Sequence, residues 1–501
     1  MADAAPRFLH DLDTLIRARY PLVYLVTWEE QRVTGLIATI AKNHRKDLLE
    51  WSVTRGLHAL SGTLKGPQGQ ETREPQAVLD AVGKLSNPAI VLLKDFHRFL
   101  DDAPTVRALR ELCHQLKNAF TTVIVVAPTM RIPEELEKDV SVIDVPLPGR
   151  ADLMRLLKDI ATVVQQNKRA TVSLDQQQAE ALVTAAHGLT LNEAENAFAK
   201  AIAEDDRLDA SDIRLILEEK SQVIRKSGLL EYYAADAALA DVGGLDHLKR
   251  WLGRRGNAFS TAARAFGLPE PKGLLLLGVQ GCGKSLTAKA IASTWRLPLV
   301  RLDMGRIYSG IIGSSEENLR RAIRVVESLS PVVLWIDEIE KGLAGSASGQ
   351  GDTGVSARVF GTLLTWLQEK TAAVFVVATA NRIEGLPPEL LRKGRFDEIF
   401  FVDLPSPRER ADIFTIQLRK RGRDPQLFPV EELARASESF SGAEIEQAVV
   451  SALYDAFADG TEFEARHLAA AIAETLPLAV TMAEDVERLR TWARSRTRPA
   501  S

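Results

Sequence analysis

The octapeptide GVQGCGKS at 278–285 constrains this chain more tightly than any other feature. It fits the pattern G-x-x-x-x-G-K-[ST] and sits between the apolar run GLLLL (273–277) and a stretch, 285–295, with apolar positions at helical spacing. A short run without polar breaks suits a strand buried on both faces, which is the strand of a parallel sheet. Gly278, Gly281 and Gly283 let the backbone curl between strand and helix, so that N–H groups from Gly278, Val279, Gln280, Gly281, Cys282, Gly283, Lys284, Ser285 and Leu286 can wrap a phosphate. The following helix adds its positive end. Lys284 is placed to reach β- and γ-phosphates, and Ser285 to offer a hydroxyl to Mg²⁺. The expected ligands are ATP and Mg²⁺.

Further runs repeat the pattern. VVLWI (332–336) and VFVVA (374–378) read as buried strands, and 315–329 as an intervening helix. Strands alternating with helices imply an α/β fold with a parallel P-loop NTPase sheet, and from 407 the strand signal stops. We therefore expect an ATPase core at 242–406, a helical lid at 407–475, and a C-terminal helix and basic tail at 476–501.

The first half reads as a degenerate copy of the same plan. VIVVAPTMRIPEEL (123–136) parallels VFVVATANRIEGLPPEL (374–390), and VPLPGRADL (145–153) parallels LPSPRERADI (404–413). AAHGLTLNEAENAFAKAI (185–202) parallels ASESFSGAEIEQAVVSAL (436–453). This copy divides into an α/β domain at 1–150 and a lid at 151–225, with a linker at 226–241. Its first strand, LVYLV (22–26), leads into TWEEQR (27–32) instead of a glycine-rich loop, and Glu29 and Glu30 would repel phosphate. The strand at 89–93 (AIVLL) leads into KDFH, which keeps Asp95 without an adjacent Glu. A structural or regulatory role follows for this half. The segment 56–75, rich in Gly, Pro, Gln and Thr, reads as a mobile loop.

Asp337 closes the strand 332–336, where open α/β sheets bind ligands, and is expected to hold the Mg²⁺ shell. Glu338 is the candidate general base for an attacking water. Asn381, just beyond 374–378, is a neutral group placed to position that water; the other reading is a turn former. Arg392 and Arg395, in LLRKGRFDE (390–398), can neutralise charge on a transferring phosphoryl group, and on a neighbouring subunit this requires head-to-tail assembly. A solvated basic loop is the alternative.

Composition excludes other classes. The net charge is −4, which gives no global pull toward nucleic acid or anionic membrane. No apolar run approaches the ~20 residues of a membrane span. The opening MADAAPRFLHDLD lacks an apolar signal core, so a cytoplasmic protein is expected. Cys113 and Cys282 suggest no disulfide framework, and the 8 histidines include no HExxH pair. A run of basic residues, Arg488, Arg490, Arg494, Arg496 and Arg498, has no acid after Glu487, which is thin support for a DNA-associated motor beside the reading of a solvated end.

These motifs in this order resemble the AAA family of ATPases, in the subfamily with a second region of homology, over about 241–453. The resemblance implies that Val242, in DVGGL (241–245), lies along adenine and that Gly442 and Ala443, in SFSGAEIEQ (439–447), face the nucleotide. It also implies a homo-oligomeric ring, usually a hexamer, with Arg392 and Arg395 acting in trans. The disarmed first copy, Gln280, and TMAEDVERLRTWARSR (481–496) resemble the ycf-forty-six type AAA domain proteins of plastids, cyanobacteria and other bacteria. Ile311, in IIGSSEEN (311–318), stands where many AAA unfoldases carry a pore aromatic; it offers a smaller apolar grip, or packs at the start of a helix. The expected function is ATP-driven remodelling of an unknown protein client, with a nucleotide-switched scaffold as the alternative.

Overall fold

The computed structural model describes residues 4–167, 171–226, 228–233, 238–308, 314–341, 353–383, 386–392 and 394–501. The chain divides into two compact units, Met1–Lys220 and Ser221–Ser501.

In the first unit, β1 (Leu22–Val26), β2 (Asp47–Ser52), β3 (Gly56–Ser61), β4 (Ala89–Lys94), β5 (Thr122–Ala127) and β6 (Val140–Asp144) form a six-stranded sheet in the order β3-β2-β4-β5-β1-β6. Every neighbouring pair is parallel except the β2–β3 hairpin. The continuous apolar character of β4 and β5 follows from burial on both faces. Val91, Leu93, Val123 and Val125 join one core, and Ile90, Leu92, Ile124 and Val126 join the other. Helices Arg150–Asn167, Gln176–Ala186 and Leu191–Asp205 follow, with a short ribbon of β7 (Thr171–Val172) and β8 (Arg207–Leu208).

The segment 56–75, expected as a loop, contains strand β3 and a 3-10 turn at Gly69–Thr72, with a largely exposed irregular stretch at 62–68 between them. Gly56 turns the hairpin at φ 70°, β3 pairs with β2, and Thr72 is fully buried. The Thr72 hydroxyl accepts from Leu57 N at 2.7 Å and its carbonyl accepts from Trp51 Nε1 at 2.6 Å. Local composition signals a turn; long-range bonds to one threonine decide the rest.

TWEEQR follows β1 as expected, but its acids are not simply exposed to repel an anion. Glu29 and Arg32 side chains are 5% and 7% exposed and form an ion pair at 2.6 Å. The other Glu29 oxygen accepts from Leu191 N at 2.7 Å, at the first turn of helix Leu191–Asp205. Arg32 also donates to Pro146 O at 2.7 Å. A carboxylate of the chain thus occupies the helix N-terminus that would attract an anion.

In the second unit, β9 (Leu230–Tyr233), β10 (Gly273–Gly278), β11 (Leu299–Leu302), β12 (Val332–Ile336), β13 (Val374–Ala380), β14 (Glu398–Val402) and β15 (Arg498–Pro499) form a seven-stranded sheet in the order β15-β14-β10-β13-β12-β11-β9. The sequence β14-β10-β13-β12-β11 repeats β6-β1-β5-β4-β2 of the first unit, and each sheet adds an antiparallel edge strand, β9 or β3, beside the corresponding strand. One plan is built twice. Leu275, Leu277, Val376 and Ala378 face one core, and Leu274, Leu276, Phe375 and Val377 the other. Beyond β14, helices Pro407–Lys420, Val430–Ala436, Gly442–Ala458 and Ala465–Glu474 close their own core around Phe414, Leu418, Ile445, Val449 and Leu468.

Two expectations for connecting segments change. Within 226–241, Leu230–Tyr233 is not linker but the antiparallel edge β9, paired with β11. The basic tail stays largely exposed, as a solvated end would, but four of its arginines pair with acids. Arg490 meets Asp403 at 2.9 Å, Arg488 meets Asp485 at 2.8 Å, and Arg494 and Arg498 face Glu487 and Glu398, each at 3.5 Å. Asp485 and Glu487 are neighbours within helix Ala483–Ala493, whereas Asp403 and Glu398 are brought up from distant segments by the docking of that helix and β15. No helix among the described residues is long and apolar enough to cross a membrane.

Removing one partner of a buried ion pair leaves an uncompensated charge. Glu29→Ala is therefore expected to destabilise the first unit by about 3 kcal/mol, read as a lower urea midpoint at unchanged slope.

Candidate active site

Strand order creates the crevice. The chain leaves β10 outward to β11, three positions away, and returns through β12 and β13, so the carboxyl end of β10 is a topological switch point. Gly278 is required here because a Cβ would stand 2.0 Å from Val402 O on the neighbouring β14. The loop then turns through Gly281 (φ 79°) and Gly283 (φ 85°) into helix Lys284–Trp295. A cavity of about 340 Å³ opens over this loop. It is lined by Gln280, Gly281, Cys282, Gly283, Lys284, Ser285 and Leu286, with Asp337, Glu338 and Asn381 from the strand ends and Val242, Gly442 and Ala443 from outside the sheet.

Gly278 and Val279 are the loop residues that do not line the cavity. Their carbonyls lie behind it and accept from Lys284 Nζ at 2.8 Å each. Lys284 is 5% exposed. Burial pushes its ammonium down to about 8, against the pull of the nearby Glu340, Asp337 and Glu338 carboxylates. Its two hydrogen bonds go to neutral carbonyls, so no carboxylate pairs with it directly.

Ser285 Oγ donates to Asp337 Oδ1 at 3.1 Å, and Thr379 Oγ1 donates to the same oxygen at 2.6 Å. This hydroxyl–carboxylate pair suits a hard cation such as Mg²⁺, which takes one or two protein oxygens and draws its remaining ligands from phosphate and water. Among the described residues no cluster of three or more His, Cys, Asp or Glu could hold a metal by itself.

Glu338 adopts φ 48°, as Asp95 does (φ 55°) directly after β4 in the first unit. Its backbone N–H donates to Thr379 Oγ1 at 3.0 Å. Asn381 Nδ2 donates to one carboxylate oxygen at 2.9 Å, and Lys341 forms an ion pair with the other. Asn381 N in turn donates to Glu340 Oε1 at 2.9 Å, and burial raises the Glu340 carboxyl above its usual range. The sequence reading missed Thr379 and Glu340. The available signals were one hydroxyl within an otherwise apolar strand and a third acid in DEIE.

The lid closes the pocket through a short contact: Ala443 N donates to Gly281 O at 3.0 Å. Ser441 caps helix Gly442–Ala458, and Val242 is buried beside it in the cavity wall.

Arg392 and Arg395 are not part of this cluster. Asp397, just after them, accepts from Lys272 N and Gly273 N at 2.8 and 3.0 Å, at the amino end of β10. The phosphate-type loop lies at the other end of that six-residue strand, about 20 Å away at ~3.3 Å per residue. Arg392 is exposed, and Arg395 donates to Glu389 O. Ile311 lies outside the described residues.

Comparison with known proteins places the chain. It is 42% identical over 492 residues to an AAA domain-containing protein, ycf46, of Pyropia yezoensis, covering 97% of each chain. The chain belongs to the ycf46 family. The corresponding Guillardia theta protein is 40% identical over 97% of this chain and 95% of its own. Within this ycf46-family chain, residues 274–404 match the ATPase family associated with various cellular activities (AAA). Residues 8–145 match the N-terminal domain of SpoVK-like AAA ATPases, and 151–227 match their second domain. A proteasome-activating nucleotidase of Aeropyrum pernix is 36% identical over 205 residues, covering 40% of this chain and 49% of its own.

Cys282 of the ycf46-family pocket is a partly exposed residue, yet burial of its sulfur dominates and pushes the thiol up to about 12. The thiolate, which is the reactive form, is scarce at neutral pH. Alkylation of Cys282, followed by peptide mass spectrometry, is expected to be slow at pH 7 and to rise about tenfold per unit through pH 10. A fast reaction at pH 7 contradicts this.

Proposed function

We propose that this chain binds ATP with Mg²⁺ in the pocket over Gln280–Ser285 and hydrolyses it, in assemblies where Arg392 and Arg395 serve the nucleotide of a neighbouring copy. One observation carries the reading: a buried ammonium, a hydroxyl–carboxylate pair and a second carboxylate steadied by an amide converge at the carboxyl ends of β10, β12 and β13.

Lys284 and the loop N–H groups hold the phosphates, and the N-terminus of helix Lys284–Trp295 favours their charge. Ser285 and Asp337 would hold Mg²⁺, which when bound would supply positive charge to offset that of the phosphates. Glu338 exchanges its contact with Lys341 for a water and accepts a proton from it, while Asn381 fixes the carboxylate and the water's direction. Thr379 keeps Asp337 oriented. Absence of both arginines from the lining of their own chain's pocket supports action in trans, because a guanidinium that does not reach the phosphates gives them no direct contact.

Hydrolysis coupled to remodelling of a protein client is supported by likeness to a proteasome-activating nucleotidase over the ATPase part of the chain. A nucleotide-switched scaffold is favoured by a different observation, the Glu29 carboxylate that fills the anion position of the first unit. A protein client that stimulates turnover supports the first reading. Turnover indifferent to any protein, with ATP-dependent assembly, supports the second.

Glu338→Gln is expected to keep ATP affinity while turnover falls at least about a hundredfold. Arg395→Ala is expected to spare binding and depress turnover, and mixing it with Lys284→Ala should restore part of the activity, since each variant supplies what the other lacks. Normal turnover in Arg395→Ala, or no recovery in mixtures that still assemble, removes the trans reading. Because Lys284 titrates near 8 when free and phosphate favours its protonated form, ATP affinity should be flat below pH 8 and decline above it. Calorimetry in buffers of different ionisation enthalpy should show proton uptake on binding above pH 8.

A further inference from the structure

Segment 498–501 ends in the same cavity. β15 pairs in parallel with β14, matching Arg498 to Phe400 and Pro499 to Phe401. Ala500 N donates to Phe401 O at 2.9 Å, and Ala500 O accepts from Leu248 N at 3.0 Å, so the segment is clipped on both sides. Ala500 is 1% exposed in the core that includes Val242, Leu245 and Leu248. This docking delivers Ser501 to the cavity wall.

Ser501 Oγ donates to Glu409 Oε1 at 2.5 Å, and Leu245 N donates to the same oxygen at 3.3 Å. The other Glu409 oxygen accepts from Ser406 N and Ser406 Oγ, each at 2.8 Å. One carboxylate therefore ties three walls: the 241–245 loop, the start of helix Pro407–Lys420, and segment 498–501. Burial opposes the charge of Glu409, but hydrogen bonds from Ser501, Ser406 and Leu245 outweigh it and hold the carboxyl below its usual range. The packing is close, since a Cβ on Gly244 (φ 66°) would stand 2.1 Å from Glu409 Oε1. Ile413, one turn along the helix from Glu409, lines the cavity with Val242, Leu245 and Ile416. Such an apolar wall takes a flat base, whereas Lys284, Ser285 and Asp337 take phosphate and metal.

We propose that Glu409 and the docked segment Arg498–Ser501 are positioning elements for the nucleoside end of the pocket, setting affinity for base and ribose but not for the phosphate chain. The inference rests on the nucleotide reading above. Loss of the Glu409 knot frees the apolar wall while leaving the loop 280–285 intact, so binding of a nucleotide and of a bare phosphate chain should separate.

The test compares ADP and inorganic tripolyphosphate binding to the full chain by calorimetry. Glu409→Ala and Ala500→Asp, which expels the segment by burying a charge, should each weaken ADP about tenfold or more and leave tripolyphosphate unchanged. Ser501→Ala removes one hydrogen bond without touching a core and should weaken ADP about threefold. Glu409→Gln should recover part of the loss. In turnover assays KM for ATP should rise with kcat little changed, whereas Lys284→Ala should weaken both ligands. Folded variants that bind ADP like the parent, or that lose both ligands equally, overturn the proposal while the nucleotide reading stands. A parent chain that binds neither ligand overturns both.

Discussion

The carboxylate of Asp337 is the tie on which the pocket depends. It receives Ser285 Oγ from the helix after β10 and Thr379 Oγ1 from β13, while itself ending β12. Three strands adjacent in the sheet are thereby joined at their carboxyl ends by one oxygen. Because Thr379 also accepts from Glu338 N, the same bridge holds the backbone turn that presents Glu338. Each bond is modest alone. Their arrangement is costly to lose, because buried polar groups left without partners keep their full desolvation penalty.

Lys284 is buried among carbonyls and pushed down to about 8, and the lid presents the N-terminus of Gly442–Ala458 toward the same loop. The first unit repeats the strand order with different chemistry at the loop after β1. There Glu29 supplies the negative charge at helix Leu191–Asp205, and Arg32 balances it. The two units thus share a strand order and differ in what meets the loop after the first core strand: the Glu29 carboxylate at Leu191 N in the first unit, and a glycine-rich loop whose Gly281 carbonyl accepts from Ala443 N in the second.

Much of the fold was legible because its signals are local. Runs such as GLLLL and VVLWI must be buried on both faces, and glycine spacing at 278–283 permits one strand–loop–helix path. Candidate residues Lys284, Ser285, Asp337, Glu338 and Asn381 were visible for the same reason, each standing at the end of a readable strand. Thr379 and Glu340 were hidden, since a single hydroxyl in a strand or an extra acid in a turn has no meaning until its partner is known. The strand and 3-10 turn within 56–75 were hidden for a similar reason: the composition is that of a turn, but Trp51 and Leu57 reach Thr72 from elsewhere in the fold.

The amino-acid sequence alone determined the α/β class, the duplication, and the identity of the groups that could meet a triphosphate, because periodicity and glycine spacing act within a few residues. Only the tertiary structure decided which groups share a cavity. It left Arg392 and Arg395 out of the cavity lining, docked Arg498–Pro499 as an edge strand, and brought Ser501 onto Glu409 across 92 residues of chain. Those outcomes depend on strand order and on side chains meeting from distant segments, and no local spacing encodes either.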